Sequence, residues 1–361
     1  MAAGWNKLDG AKALVDSGID GVPDFYVKPL DQRLSPQDLE LHAGEQEDEV
    51  PVIDVSPLLD SKPTSSDRSK EDVIAELLDA SERWGFFQVI NHGIGSDLTR
   101  RMLAVAHEFF QLPLAEKMVF YSTDIDAAVR YGTSFNPLKD VFLDWQDNLL
   151  HRFLPERRDQ PHPWPTKPSA YELIAGEFVD QAKFLARHLL RALSEGLGLG
   201  PDYLEGEFGE HNVALRLNYY PPCPSPELAI GLSSHSDVGG LTILLQDSDI
   251  VGLQVKVQEK WKTVRSVPGA LVINIGDQLQ QIYSNGKLKS VEHRAIVNAD
   301  KARVSVGLFY DPASDVRVSP IPKFVDTEHP AAYNPCVFRE YLKNLYSKNL
   351  VGKELLESQR K

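Results

Sequence analysis

From Val213 onward the chain reads as short segments, VALRLNYY, LTILLQD, LQVKV, KWKTV, ALVINIG, VEHRAIV and RVSVGLFY, each rich in aliphatic, β-branched or aromatic residues and parted by glycine and proline turns. Strands so short and so regularly interrupted pack as a sandwich or jelly roll, which constrains the fold class before any single residue is considered. Side chains two apart on a strand share a face. In VALRLNYY this places Arg216, Asn218 and Tyr220 together, opposite Leu215, Leu217 and Tyr219. In RVSVGLFY it places Arg303, Ser305, Gly307 and Phe309 on one side.

The same period puts His235 and Asp237 on one face, and His293 lies 56 positions after Asp237 and 10 before Arg303, a separation natural for two strands of one antiparallel sheet. Two imidazoles and one carboxylate are the ingredients of a facial triad that leaves open positions on a non-haem Fe(II). Arg303 and Ser305 can then hold a carboxylate, the guanidinium through a bidentate fork and the hydroxyl through a further bond. An isolated H-x-D is most often two solvated polar residues, so the inference rests on the combination. A zinc hydrolase also accepts two histidines and a carboxylate, but it leaves Arg303 and Ser305 without a role.

With HxD, a distant histidine and RxS in place, the chain resembles the iron(II) and 2-oxoglutarate-dependent dioxygenases. WGFFQVINHG, NYYPPCPSPEL, HSDVGGLTILLQD, GALVINIGDQLQ and KSVEHR are similar to the plant branch of specialised metabolism and hormone turnover, over about Val50 to Pro312. The resemblance implies a double-stranded β-helix (jelly roll) with flanking helices, mainly β and isopenicillin-N-synthase-like. It implies Fe(II) on His235, Asp237 and His293, 2-oxoglutarate bound by Asn218, Tyr220, Arg303 and Ser305, O₂ as oxidant and ascorbate as reductant. It also implies that Phe135, Asn148, Leu150, Arg216 and Phe309 border the organic substrate. Many such enzymes carry Tyr where Asn148 stands and Phe where Leu150 stands, so this pocket is expected to be less aromatic and slightly larger. They usually have one residue fewer in the stretch GDQLQQIYSNGKLKS, which predicts an extra residue held in a turn or bulge.

Lys and Arg number 38 against 52 Asp and Glu, and the net charge of −14 argues against nucleic acid or an anionic membrane surface as partner. A small molecule is the expected partner and a monomer the expected state. The two cysteines, Cys223 and Cys336, imply no disulfide framework. No apolar run has the length of a signal-peptide core or a membrane span, so the expected location is the cytoplasm.

Residues 1–48 read as a surface arm with no assigned chemistry, 49–200 as a mixed helical region, 201–312 as the jelly-roll core and 313–361 as an extension whose helix, FREYLKNLYSKNL, packs over the barrel mouth. VPVIDVS reads as a buried strand. Ser69, three residues before Asp72, is a candidate N-cap for a helix with Val73, Ile74, Leu77, Leu78 and Ser81 on one face. A second helix begins near Ser96 and the longest spans 168–197. His92 reads as a strand-end hydrogen bonder and His107 as a helix-surface residue. The aperiodic segment Val129 to Phe153 reads as a lid or pocket wall.

These expectations converge on a dioxygenase that hydroxylates or desaturates a small aromatic metabolite of the phenylpropanoid or flavonoid class, releasing succinate and CO₂. HSDV, GALVINIGD and TSFNP resemble enzymes that ortho-hydroxylate hydroxycinnamoyl-CoA esters, whereas GLSSHSD and DPASDVRVSP resemble hormone-catabolising and flavonoid enzymes. A hormone-catabolising hydroxylase of jasmonate, salicylate or auxin type, an ascorbate-dependent iron oxidase and a catalytically silent binding protein are the rival readings.

Overall fold

Alternation along the strands sets the architecture. In the computed structural model, which describes residues 6–35, 49–59, 68–124, 126–134, 138, 140–154, 163–247, 249–347 and 353–361, twelve strands form two sheets. They are β1 (Val52–Asp54), β2 (Phe86–Ile90), β3 (Val129–Thr133), β4 (Asp147–Phe153), β5 (Asn212–Tyr220), β6 (Leu232–His235), β7 (Leu241–Gln246), β8 (Leu253–Val257), β9 (Lys260–Thr263), β10 (Leu271–Ile275), β11 (His293–Ala295) and β12 (Arg303–Asp311). The major sheet runs β1-β2-β10-β7-β12-β5-β4-β3 and the minor sheet β6-β11-β8-β9. This is a jelly roll, mainly β with flanking helices.

One face of the major sheet carries Leu215, Leu217, Ile243, Leu245, Val306 and Leu308, all buried in the main hydrophobic core against the long helix Tyr171–Gly196 and the helix Ser96–Gln111. The alternate residues of β5, β7 and β12 face the other way, into a cavity. Because the period is two, slipping any of these strands by one residue would bury the polar row in the core and expose the aliphatic one. The helix Lys70–Arg83 starts as its sequence predicts: Ser69 Oγ accepts from Asp72 N and the Asp72 carboxylate accepts from Ser69 N, both at 3.1 Å. Substituting such a cap with alanine costs about 1 kcal/mol.

Several expectations need correction. β1 is an edge strand whose Val52 is 44% exposed, so only Ile53 and the residues flanking the strand reach the core. The segment expected to be an aperiodic wall contains β3 and β4, an antiparallel pair that extends the major sheet. Together with β1 and β2, these strands make residues 49–200 part of the same sheet as the later strands. The bulge expected between Gly276 and Ser290 takes the form of a π-helical turn, Gln278–Tyr283, in which Ser284 N donates to Leu279 O five residues back.

The arm is also more than a surface feature. Its helix Ala11–Asp16 begins with Ala11 N donating to the buried Asp147 carboxylate, and Tyr26 and Leu14 join a second core cluster with Trp145 and Tyr220. Burial pushes Asp147 up to about 6. Among the described residues, both cysteines are free and no helix is long and apolar enough to cross a membrane.

Candidate active site

Antiparallel pairing of β6 and β11 sets His235 directly opposite His293, with ring centroids 4.2 Å apart. β6 ends at His235, so Asp237 sits in the following loop rather than on the strand. The loop still turns its carboxylate back. Asp237 Oδ1 lies 3.7 Å from His235 Nε2 and 3.8 Å from His293 Nε2. One ligand atom from each residue falls within 4.8 Å of the others, and no second such cluster of His, Cys, Asp or Glu occurs among the described residues.

The surrounding bonds orient the three groups. Thr242 Oγ1 (2.6 Å) and Asn274 Nδ2 (2.7 Å) donate to Asp237 Oδ2, leaving Oδ1 for the imidazoles. His235 Nδ1 faces Ser233 O at 2.9 Å and His293 Nδ1 faces Val291 O at 3.3 Å, which assigns the proton to Nδ1 and leaves each Nε2 lone pair pointing inward. Burial and the neighbouring His235 hold the His293 imidazolium pKa well below its usual value, so the ring stays neutral. Burial would push the Asp237 carboxyl up, but the charge of the His293 and His235 rings in their protonated form and the bonds from Asn274 and Thr242 outweigh it and hold it below its usual value. Two imidazoles and a carboxylate converging on one point form the donor set a divalent iron takes, and the open side faces the cavity.

That cavity, about 480 Å³, lies between the two sheets. One end is built by β5 and β12, whose register pairs Arg303 with Tyr220 and Ser305 with Asn218. Arg303 is 3% exposed, donates from Nη2 to Gln246 Oε1 (2.7 Å) and stands 5.3 Å over the Tyr220 ring. No carboxylate pairs with it among the described residues, and its Nε is buried without a partner. Asn218 Nδ2 lies 3.4 Å from Ser305 Oγ, while its Oδ1 is likewise orphaned. A Cβ at Gly252 would lie 2.8 Å from Arg303 Cδ, so only glycine leaves room for this arginine's stem. Buried polar atoms left open in this way are costly unless a ligand completes them.

Further along the same face, Arg216 stands opposite Gly307 on one side and Leu150 on the other, and both strands also bring Phe309 and Leu150 to the cavity wall. Arg216 Nε is buried without a partner, and no ion pair holds the guanidinium among the described residues. Asn148 shares this face, but its amide donates to Ser134 O at 3.0 Å and it does not line the cavity. Phe135 lies outside the described residues. His92 bonds Gly269 O at 3.0 Å, and His107 is exposed on its helix beside Tyr219.

Residues that the sequence reading did not single out complete the site. Lys28 of the arm lines the cavity and forms a buried ion pair with Asp144 (2.8 Å), and both contact Ser233, whose carbonyl holds His235. Asp311, at the far end of β12, accepts from Gly240 N at 3.0 Å, and burial pushes it up to about 7. Leu342, Leu345 and Leu355 of the C-terminal segment close the wall.

The comparisons with known proteins agree with this chemistry. Residues 211–312 match the 2OG-Fe(II) oxygenase superfamily, and residues 50–167 match the family described as non-haem dioxygenase in morphine synthesis N-terminal. The chain is 40% identical to jasmonate-induced oxygenase 4 of Arabidopsis thaliana, over 99% of each protein. It is also 40% identical to flavanone 3-dioxygenase 2 of Oryza sativa subsp. japonica, over 94% of each. The solved structure of JOX2 in complex with 2OG, Fe and JA superposes with a TM-score of 0.84 at 35% identity, covering 98% of this chain and 97% of that one. A jelly roll that converges two histidines and an aspartate beside an unpaired buried arginine, in a chain so closely similar to these enzymes, belongs to the 2OG-Fe(II) oxygenase superfamily and is an oxidoreductase.

Proposed function

We propose that the chain oxidises a small, ring-bearing organic acid, with iron held by His235, Asp237 and His293 and 2-oxoglutarate anchored by Arg303, Ser305, Asn218 and Tyr220. Iron bound there would couple decarboxylation of 2-oxoglutarate by O₂, giving succinate and CO₂, to hydroxylation or desaturation of a substrate C–H bond. The protein's part is orientation. Thr242 and Asn274 fix the Asp237 carboxylate, and the backbone carbonyls of Ser233 and Val291 fix the imidazoles.

The observation that carries the substrate class is Arg216, a cation on the cavity wall with no carboxylate partner among the described residues. Its planar fork matches a carboxylate bidentately. Phe309, Leu150 and Leu244 around it suit an apolar ring. A hormone-type carboxylate is the first reading, supported by the similarity to jasmonate-induced oxygenases. A phenylpropanoid or flavonoid with an acidic phenol is the second, supported by Phe309 and by the similarity to flavanone 3-dioxygenase 2 and feruloyl CoA ortho-hydroxylase 2. The test is a panel of ring-bearing acids, flavanones and hydroxycinnamoyl thioesters with Fe(II), 2-oxoglutarate and ascorbate, with product and succinate counted together by mass spectrometry. Carboxylates oxidised in preference to their esters support the first reading. Turnover without succinate would show that 2-oxoglutarate is not the cosubstrate.

A further inference from the structure

The helix Phe338–Ser347 and the residues after Lys353 lie over the cavity, and their leucines at 342, 345 and 355 face it. One polar fastening of the cap, from Tyr341, reaches a buried carboxylate. Asp277, at the start of the π-helical turn, is 1% exposed and accepts from Tyr341 Oη at 3.0 Å, Ser290 Oγ at 2.8 Å and Ser236 Oγ at 3.3 Å. Its backbone N donates to Asp237 O at 2.8 Å. Lys353 adds a second fastening nearby, to Gln280 Oε1 at 3.1 Å and to Ser290 O.

The partners of Asp277 are the carriers of the proposed metal ligands. Ser236 lies between His235 and Asp237, and Ser290 leads into the strand that begins at His293. The loop from Asp237 to Gly240 is gripped by the same turn, through Gln278 N to Gly239 O (2.9 Å), Gln278 Nε2 to Val238 O (3.0 Å) and Gly276 N to Gly240 O (2.7 Å). A Cβ at Gly276 would fall 2.3 Å from Gly239 O, so the two backbones touch. Tyr341 is the one described residue of the cap helix that reaches this carboxylate, and it does so through a single oxygen.

We infer that Tyr341 and Asp277 are positioning residues that latch the C-terminal cap to the loop carrying His235 and Asp237, so that the cap closes over the organic substrate only when that loop is in its metal-binding arrangement. A substrate filling the cavity presses on Leu342 and Leu345, and the cap helix passes that contact to Asp277 and Ser236. Without the latch, the cap opens independently of the loop, and the cosubstrate is consumed without oxidation of the substrate. The inference rests on the proposed metal site, whose failure is read separately.

The test uses Tyr341→Phe, Ser236→Ala and the double variant in the full-length chain with Fe(II), 2-oxoglutarate and ascorbate. Fe(II) and 2-oxoglutarate binding to the wild type are measured first, and absence of either refutes the proposed site rather than the latch. With both intact, Tyr341→Phe is expected to retain 2-oxoglutarate affinity, to raise KM for the organic substrate about tenfold, as loss of one bond to a charged acceptor implies, and to raise the succinate-to-product ratio severalfold. Because both hydroxyls act on one carboxylate, the double variant should fall short of the product of the single effects. An unchanged succinate-to-product ratio, or strictly multiplicative effects, would overturn the latch. A variant that loses stability with the ratio intact would reduce Tyr341 to a packing role and overturn it equally.

Discussion

Arg303 and Arg216 project from neighbouring strands into one cavity, but their surroundings differ. Arg303 is buried, bonded to Gln246 and set over the Tyr220 ring, with Gly252 keeping its stem clear. Arg216 is half-buried, faces Gly307, Leu150 and Phe309, and has no bonding partner among the described residues. The first end is built in advance for a ligand of fixed shape, because neutral groups hold the cation while leaving its Nε open. The second end is left for the ligand to finish, which is where relatives with different substrates can diverge. Preorganisation of this kind reduces the entropy lost on binding at one end, and the unpaired cation supplies selectivity at the other.

The largest effect belongs to neither arginine. Replacing His235 or Asp237 with alanine should abolish Fe(II) binding and turnover while leaving the fold intact, since each removes one of three convergent donors. Full iron occupancy in either variant, measured by metal analysis after gel filtration, would break the site apart. Next comes Arg303→Ala, expected to cost roughly 3–5 kcal/mol of 2-oxoglutarate binding, about two to four decades in Kd, as for a broken buried charge pair. Arg303→Lys should recover little because a point charge cannot replace the fork. Calorimetry that finds equal 2-oxoglutarate affinity would remove the distinction between the two ends.

How much of this was legible beforehand follows from what a period can encode. Alternation in β5 and β12 separated the cavity residues Arg216, Asn218, Tyr220, Arg303 and Ser305 from the core aliphatics. The spacing of Ser69 and Asp72 marked a real capping box. Lys28 was illegible because it reaches the cavity from the arm, where no periodicity points inward, whereas Leu342 lies on the helix expected to pack over the barrel mouth. Asp237 was placed on the right side for an incomplete reason: β6 stops before it, and Thr242 and Asn274 hold the carboxylate instead of the pleat. Asn148 has the right parity, yet its amide bonds Ser134 O and it does not line the cavity. Parity predicts a face, and hydrogen bonds decide where on that face a side chain ends.

Arg216 gives the intermediate effect and sharpens the comparison most directly. Arg216→Ala should weaken binding of an acidic substrate by roughly 1.5–3 kcal/mol, about ten- to a hundredfold, the worth of bonds to a charged group. The 2-oxoglutarate Kd serves as control and should stay within about twofold. Phe309→Ala should weaken ring-bearing substrates without regard to charge. If Arg216→Ala shifts both ligands equally, the two ends are one site and the assignment of roles along β5 is wrong.

The smallest effect on binding is expected at Asp147, a buried charge on the core face of the same strand pair and therefore a control for what the cavity face does. Its carboxylate accepts from Ala11 N (2.9 Å) and Tyr131 Oη (3.0 Å), has no salt bridge among the described residues, and is pushed by burial from 3.8 up to about 6. A carboxyl whose folded pKa exceeds its unfolded value binds more protons in the folded state between those two values. Folding stability from this group therefore falls as pH rises from about 4 to about 6 and changes little above, the reverse of a salt-bridged aspartate. Asp147→Asn keeps an acceptor for Ala11 N and carries no charge, so it should flatten the fall in Tm across that window. Only part of the slope should go, because Asp277 and Asp311 are also pushed up, to about 6 and about 7. Binding of 2-oxoglutarate and organic substrate at pH 7 should match the wild type. A Tm profile parallel to the wild type across this window would show that Asp147 is already ionised at acid pH, and a loss of substrate affinity would show that the core and cavity faces of β4 do not act independently.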